Sequence, residues 1–326
     1  MTDLGNFGGN FTQAWAINNS SQIVGQGFTD ETQGPESAFF YSSTGTMTVI
    51  PTTLGGTSSA ALGINNSGQI AGTADLPPVS GTAIVHAALL SPTGTITDLG
   101  TLGGASSYAH GINSAGQVVG FSYTTGNVVT AGFLYSGGVM TNIGSLGGTN
   151  TSADAINDAG QIVGSSAETG DSIQDAFLYS SGTMTSLGTL GGTSADALAI
   201  NNSGQIVGNS TLSGTTVQDA FLYTDGTMKD LNTLFASLLV TGTGTQTGFT
   251  TLTTANDINN SGEIVGTGNY WNGTTLQAQG FLLQTAAVPE PSTWGLLLVG
   301  VGLLSFGRFR RYYAIAASNR ERLPNT

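Results

Sequence analysis

The sequence predicts an all-β chain, a ring of six four-stranded blades, and three observations carry that prediction. One phrase recurs six times, its clearest form being Ala199-Ile200-Asn201-Asn202-Ser203-Gly204-Gln205-Ile206-Val207-Gly208. Its first Asn falls at Asn18, Asn65, Asn113, Asn157, Asn201 and Asn259, in steps of 47, 48, 44, 44 and 58 residues. Four short apolar segments in such a period have the dimension of propeller blades. Composition is the third observation: 50 Gly and only 8% charged residues in 326 fit a chain of many strands and turns. The expectation is a six-bladed β-propeller over residues 1–285, followed by a separate segment at 286–326.

The first strand of each blade is Ala-x-Ala-Ile-Asn, and Gln-Ile-Val-Gly is the second. Between them Gly68, Gly116, Gly160, Gly204 and Gly262 suit a left-handed turn position, with Asn bonding its own backbone. The first repeat has Ser21 at this place, which predicts a strained or differently shaped turn. Asn157-Asp158-Ala159-Gly160 resembles part of a calcium loop, but the five other copies carry no Asp there, and such loops need several alternating oxygen ligands. The turn is the preferred reading.

The third strand is bulky, as in Ala176-Phe177-Leu178-Tyr179 and Ala220-Phe221-Leu222-Tyr223. The fourth runs around Met47, Ile96, Met140, Met184 and Met228, and a Leu-Gly-Gly loop then opens the next unit. The sixth repeat stops after Phe281-Leu282-Leu283, whereas the chain begins on Met1-Thr2-Asp3-Leu4-Gly5, which matches Thr97-Asp98-Leu99-Gly100. The N-terminal segment is therefore expected to supply the missing strand and close the ring, which removes open edges. The sixth repeat also carries an insertion after Leu234, from Phe235 to Thr254, readable as a surface loop or a short flap.

The residue between the two small residues of the first strand varies: Trp15, Leu62, His110, Asp154, Leu198 and Asn256. Packing between blades is the plain reading. The functional one is a shallow binding ring at a channel mouth, using Trp15, His110, Asp154 and Asn256.

From Val288 the composition changes. Pro289-Glu290-Pro291 precedes an apolar run from Trp294 to Gly307, and Arg308, Arg310 and Arg311 follow at once. The basic cluster orients this short hydrophobic helix with the tail inside and the repeats outside. Prolines before a short helix and a basic stop read as a removable sorting signal. The segment resembles the PEP-CTERM sorting signal of exopolysaccharide-producing Gram-negative bacteria. That resemblance implies an exosortase as processing partner, recognising Pro289-Glu290-Pro291, and a membrane-anchored precursor before release. The repeats resemble the HAF family of extracellular repeats in their Leu-Gly-Gly, Ile-Asn-x-x-Gly-Gln-Ile-Val-Gly and aromatic segments. The family's His-Ala-Phe survives only in part, as His86-Ala87 or Asp175-Ala176-Phe177. This resemblance implies export and a repeat β-fold, and no known reaction. An exported chain is expected to carry an N-terminal export signal. Met1 instead matches a fourth-strand position, so the true start is expected upstream.

Net charge is −13, and of six basic residues only Lys229 lies outside the C-terminal segment. Such a surface cannot neutralise phosphates, so nucleic-acid binding is not expected. There is no cysteine, only two histidines, and no metal-ligand spacing or nucleophile elbow. No cofactor or metal is expected. Asp154, Asp175, Asp196, Asp219 and Asp257 lie near repeat strands and are read as solvated loop residues. The functional expectation is a non-catalytic surface or matrix protein that binds glycan or protein partners, extracellular polysaccharide among them. The alternative is a polysaccharide-modifying hydrolase or lyase on the same scaffold, which a carboxylate pair about 5–10 Å apart would favour.

Overall fold

Alternating apolar residues, many turns and almost no charge leave the chain little choice but strands. The computed structural model describes residues 3–31, 34–50 and 54–284. The first sheet is β1 (Thr12–Ile17), β2 (Ile23–Phe28), β3 (Glu36–Tyr41) and β4 (Met47–Val49). The second is β5 (Ser59–Ile64), β6 (Ile70–Val79), β7 (Thr82–Leu90) and β8 (Ile96–Asp98). The third is β9 (Gly103–Ile112), β10 (Val118–Thr124), β11 (Thr130–Ser136) and β12 (Val139–Asn142). The fourth is β13 (Gly147–Ile156), β14 (Ile162–Glu168), β15 (Gln174–Ser180) and β16 (Thr183–Gly188). The fifth is β17 (Gly191–Ile200), β18 (Ile206–Leu212), β19 (Gln218–Thr224) and β20 (Thr227–Asp230). After the short helix α1 (Leu231–Leu234) and a 3-10 turn at Ala236–Leu238, the sixth holds β21 (Gly248–Ile258), β22 (Glu263–Trp271) and β23 (Leu276–Gln284).

Each sheet is an antiparallel meander in chain order, and one parallel pair, Gln174 with Ser194, joins the fourth and fifth. The first strands stand side by side, β1 on β5, β5 on β9, and so on to β21. Apolar clusters fill the spaces between successive sheets; Val163, Ala176, Ala197, Ile206 and Phe221, for example, pack between the fourth and fifth.

The expected closure is not found among the described residues. Among the described residues the sixth sheet has three strands, Asp3–Gly5 form no strand, and no strand pairs with the outer edge of β23. The N-terminal segment does form the turn that follows a fourth strand. Gly5 N donates to Asp3 Oδ1 at 2.9 Å, as Gly100 N does to Asp98 Oδ1 at 2.8 Å.

The repeated Asn does more than shape its own turn. In the fourth sheet, Asn157 Oδ1 accepts from Ala159 N (3.1 Å) and Gln161 N (3.0 Å). Its Nδ2 donates to Gln161 Oε1 (2.7 Å) and to the carbonyl of Asn201 in the next sheet (3.1 Å). The same inter-sheet bond runs from Asn18 to Asn65, Asn65 to Asn113, Asn113 to Asn157 and Asn201 to Asn259. These side chains form a polar ladder along the array. Asp158 serves a parallel one, since its carboxylate accepts from Ser114 N (3.0 Å) and Asn202 Nδ2 (2.8 Å). Those bonds hold it below the ordinary carboxylate value. Ser21 takes the left-handed turn position with φ 56°, so the first repeat keeps the turn despite its side chain.

Candidate functional site

The variable residue of the first strand is the extra residue of a β-bulge in every sheet. The register against the second strand skips Trp15, Leu62, His110, Asp154, Leu198 and Asn256. A bulge bends its strand and re-aims one side chain. Its cost is a carbonyl pushed toward the neighbouring strand. The last Gly of the repeated phrase receives that carbonyl: a Cβ on Gly208 would overlap Asp196 O, and one on Gly120 would overlap Tyr108 O.

Only part of the expected ring comes together. His110 Nδ1 donates to Asp154 Oδ1 at 2.7 Å, and Ser152 Oγ donates to the same oxygen at 2.9 Å. Trp15 and Asn256 lie on the two terminal sheets, and Trp15 is 49% exposed. Asp196, not among the expected ring residues, joins the cluster from the fifth sheet, close enough to Asp154, Ser165 and His110 for all three to act on its carboxyl. Ser165 is held by Gln174 Nε2 at 2.8 Å. Asp154 Oδ2 and Asp196 Oδ1 are buried with no hydrogen-bond donor. Burial, and after it the neighbouring Asp154, pushes Asp196 up to about 7. Burial alone would lower His110, but its hydrogen bond to Asp154 and the charges of Asp154 and Asp196 outweigh that and raise it.

Aromatic rings adjoin this cluster on the third sheet. Tyr108 and Phe121 are cross-strand partners, stacked at 4.9 Å between centroids. The His110 imidazole meets the Phe121 edge at 5.5 Å, and Tyr123 meets Phe121 at 6.3 Å. All four rings are half-buried. The second strands of the other sheets carry Gln26, Thr73, Ser165, Asn209 and Thr267 where the third carries Phe121.

The reading of the five aspartates as loop residues is corrected. Asp154, Asp175, Asp196, Asp219 and Asp257 all lie in strands, and Asp175 and Asp219 are buried. Their backbone belongs to the ladder, and polar groups meet two of the carboxylates: Ser186 Oγ donates to Asp175 Oδ2, and Ile258 N to Asp257 Oδ1 at 2.8 Å. His86, the partial family histidine, pairs across its sheet with Asp98 at 2.8 Å. The insertion in the sixth repeat folds back on its own sheet, with Phe235, Leu239 and Phe249 against the core, and encloses a groove of about 740 Å³. Among the described residues, no group of three or more His, Asp or Glu is placed to hold a metal ion.

Residues 287–311 match the PEP-CTERM protein-sorting motif. The chain is thus an exported exosortase substrate whose precursor is anchored at the membrane by its C-terminal end. Pro289, Glu290, Pro291, Arg308, Arg310 and Arg311 fall in this match and lie outside the described residues, as does the expected hydrophobic helix. Among the described residues no helix is long and apolar enough to cross a membrane. Residues 145–281 match a family described as "Protein of unknown function (DUF3466)". No curated protein matches the chain. Among solved structures, the chain is similar to the β-propeller domain of the Trilobed protease from Pyrococcus furiosus, at 12% identity and a TM-score of 0.49, over 68% of this chain and 69% of that one. It is also similar to TolB from Acinetobacter baumannii, at 16% identity and a TM-score of 0.46, over 67% of this chain and 53% of that one.

Proposed function

We propose that the exported array is a non-catalytic surface or matrix protein that binds extracellular polysaccharide through the aromatic and acidic patch of its third to fifth sheets. The observation that carries this reading is the juxtaposition of Tyr108, Phe121 and His110 with Asp154 and Asp196. Aromatic faces pack on the apolar C–H faces of sugars, and carboxylates accept from sugar hydroxyls. The sorting motif supports the address, as does the resemblance of the repeats to HAF proteins. Binding of the purified chain to polysaccharide extracted from its host, measured by calorimetry, tests the reading. Phe121→Ala and Asp154→Asn should each weaken it about tenfold or more, a loss of about 1.4 kcal/mol. Wild-type protein that binds no fraction of that polysaccharide would sink the proposal.

The second reading, a hydrolase or lyase, draws support from Asp196, whose value of about 7 suits proton transfer near neutrality. New reducing or unsaturated ends in the same mixture would establish the enzyme instead.

A further inference from the structure

The two ends of the array are complementary. Val24, Val119, Val163 and Val207 are fully buried against the following sheet, where they share core clusters or packing with Ile64, Ile156, Ile200 and Ile258. The sixth sheet repeats that outer face with Val265 and Leu282, but these are 43% and 52% exposed. The first sheet repeats the receiving face with Ile17, which is 65% exposed.

The polar ladder ends in the same way. Asn259 Nδ2 donates to Glu263 Oε2 at 2.7 Å, without the inter-sheet bond that the five earlier Asn side chains make among the described residues. At the other end, the Asn18 carbonyl accepts from Ser21 N, whereas that of Asn65 also accepts from Asn18 Nδ2. The strand edges match too. Ile50 N, Leu99 N and Ile143 N donate to Ala38 O, Ala87 O and Gly132 O in their sheets. The corresponding positions at the ends are Leu4, in the preformed Asp3–Gly5 turn, and Gly280 on the open edge of β23.

We propose that the sixth sheet of one copy seats on the first sheet of a second copy, with Asp3–Gly5 of the second copy running along β23 of the first. The contact continues an interface the chain already builds between its own sheets. A second copy is the occupant because, within one chain, no strand pairing or hydrogen bond joins the first sheet to the sixth among the described residues. The contact is head-to-tail, so it propagates along a row of molecules unless the rotation closes it. A chain of net charge −13 repels its copies, so added salt should strengthen this apolar contact.

The absence of cysteine makes the test clean. Ile17→Cys and Val265→Cys, both at exposed positions, are introduced separately into the full chain, and the two variants are mixed and treated with a short bis-maleimide. The proposal expects a species of twice the chain mass in the mixture, increasing with salt, and none with either variant alone. The doubly substituted chain should give a series of multimers. A doubly substituted chain that cross-links only within itself would overturn the proposal in favour of a ring closed within one molecule. Cross-linking of one variant with itself, or none in the mixture, would overturn it as well.

Discussion

Asp196 carries a cost that the repeat phrase does not explain, because it is buried beside another carboxyl. Its folded value of about 7 lies above the ordinary 3.8, so the folded state holds a proton that the unfolded state releases between those values. Stability from this group is present below the lower value and lost as pH rises through the upper one. His110 is also raised and acts in the same direction from its ordinary 6.5 upward. The melting temperature should therefore fall between pH 4 and pH 8, and Asp196→Asn should remove most of that slope, on the order of 3 kcal/mol. A wild-type profile that is flat across this window would refute the raised Asp196 carboxyl. The sequence placed His110 and Asp154 in one row of equivalent positions. It named Asp196 among the carboxylates but could not place it beside them, because Asp196 lies two residues before its own bulge and reaches the cluster through the side-by-side stacking of neighbouring sheets.

At the scale of the element, the repeated phrase is a hairpin whose parts explain one another. The bulge crowds a carbonyl against the second strand, and the final Gly makes room for it. The turn Asn closes the hairpin and then joins it to the next. The turn role was legible in Asn-x-x-Gly; the joining role was not, because it needs two repeats in register. This role has a measurable signature. Asn157 is buried and has a partner in the next sheet, whereas Asn259 is exposed and bonds within its own turn. Asn157→Ala should cost about 2–4 kcal/mol and Asn259→Ala clearly less, read from urea unfolding midpoints. Equal losses at the two positions would show that the inter-sheet bond contributes nothing.

The whole molecule has two parts with different tasks, an array that presents side chains and a terminal segment that directs export. Intact mass of the protein from the outer surface of its host should give a mature species ending near Pro289-Glu290-Pro291. The same measurement in a strain without the exosortase should give a chain that retains its tail. A tail reaching Thr326 in both strains would make the segment a permanent anchor.

Periodicity alone determined the all-β class and the antiparallel strand order within each sheet, because neighbouring strands of a sheet are separated by short turns inside one repeat. The sorting segment was equally legible, since a proline motif, an apolar run and arginines act through local composition. What only the tertiary structure decided is how repeats meet: the bulge beneath the variable row, the Asn ladder, the approach of Asp196 to Asp154 and the exposed faces of the first and sixth sheets. Each depends on the angle and register between neighbouring sheets, and those follow from packing that no single repeat contains.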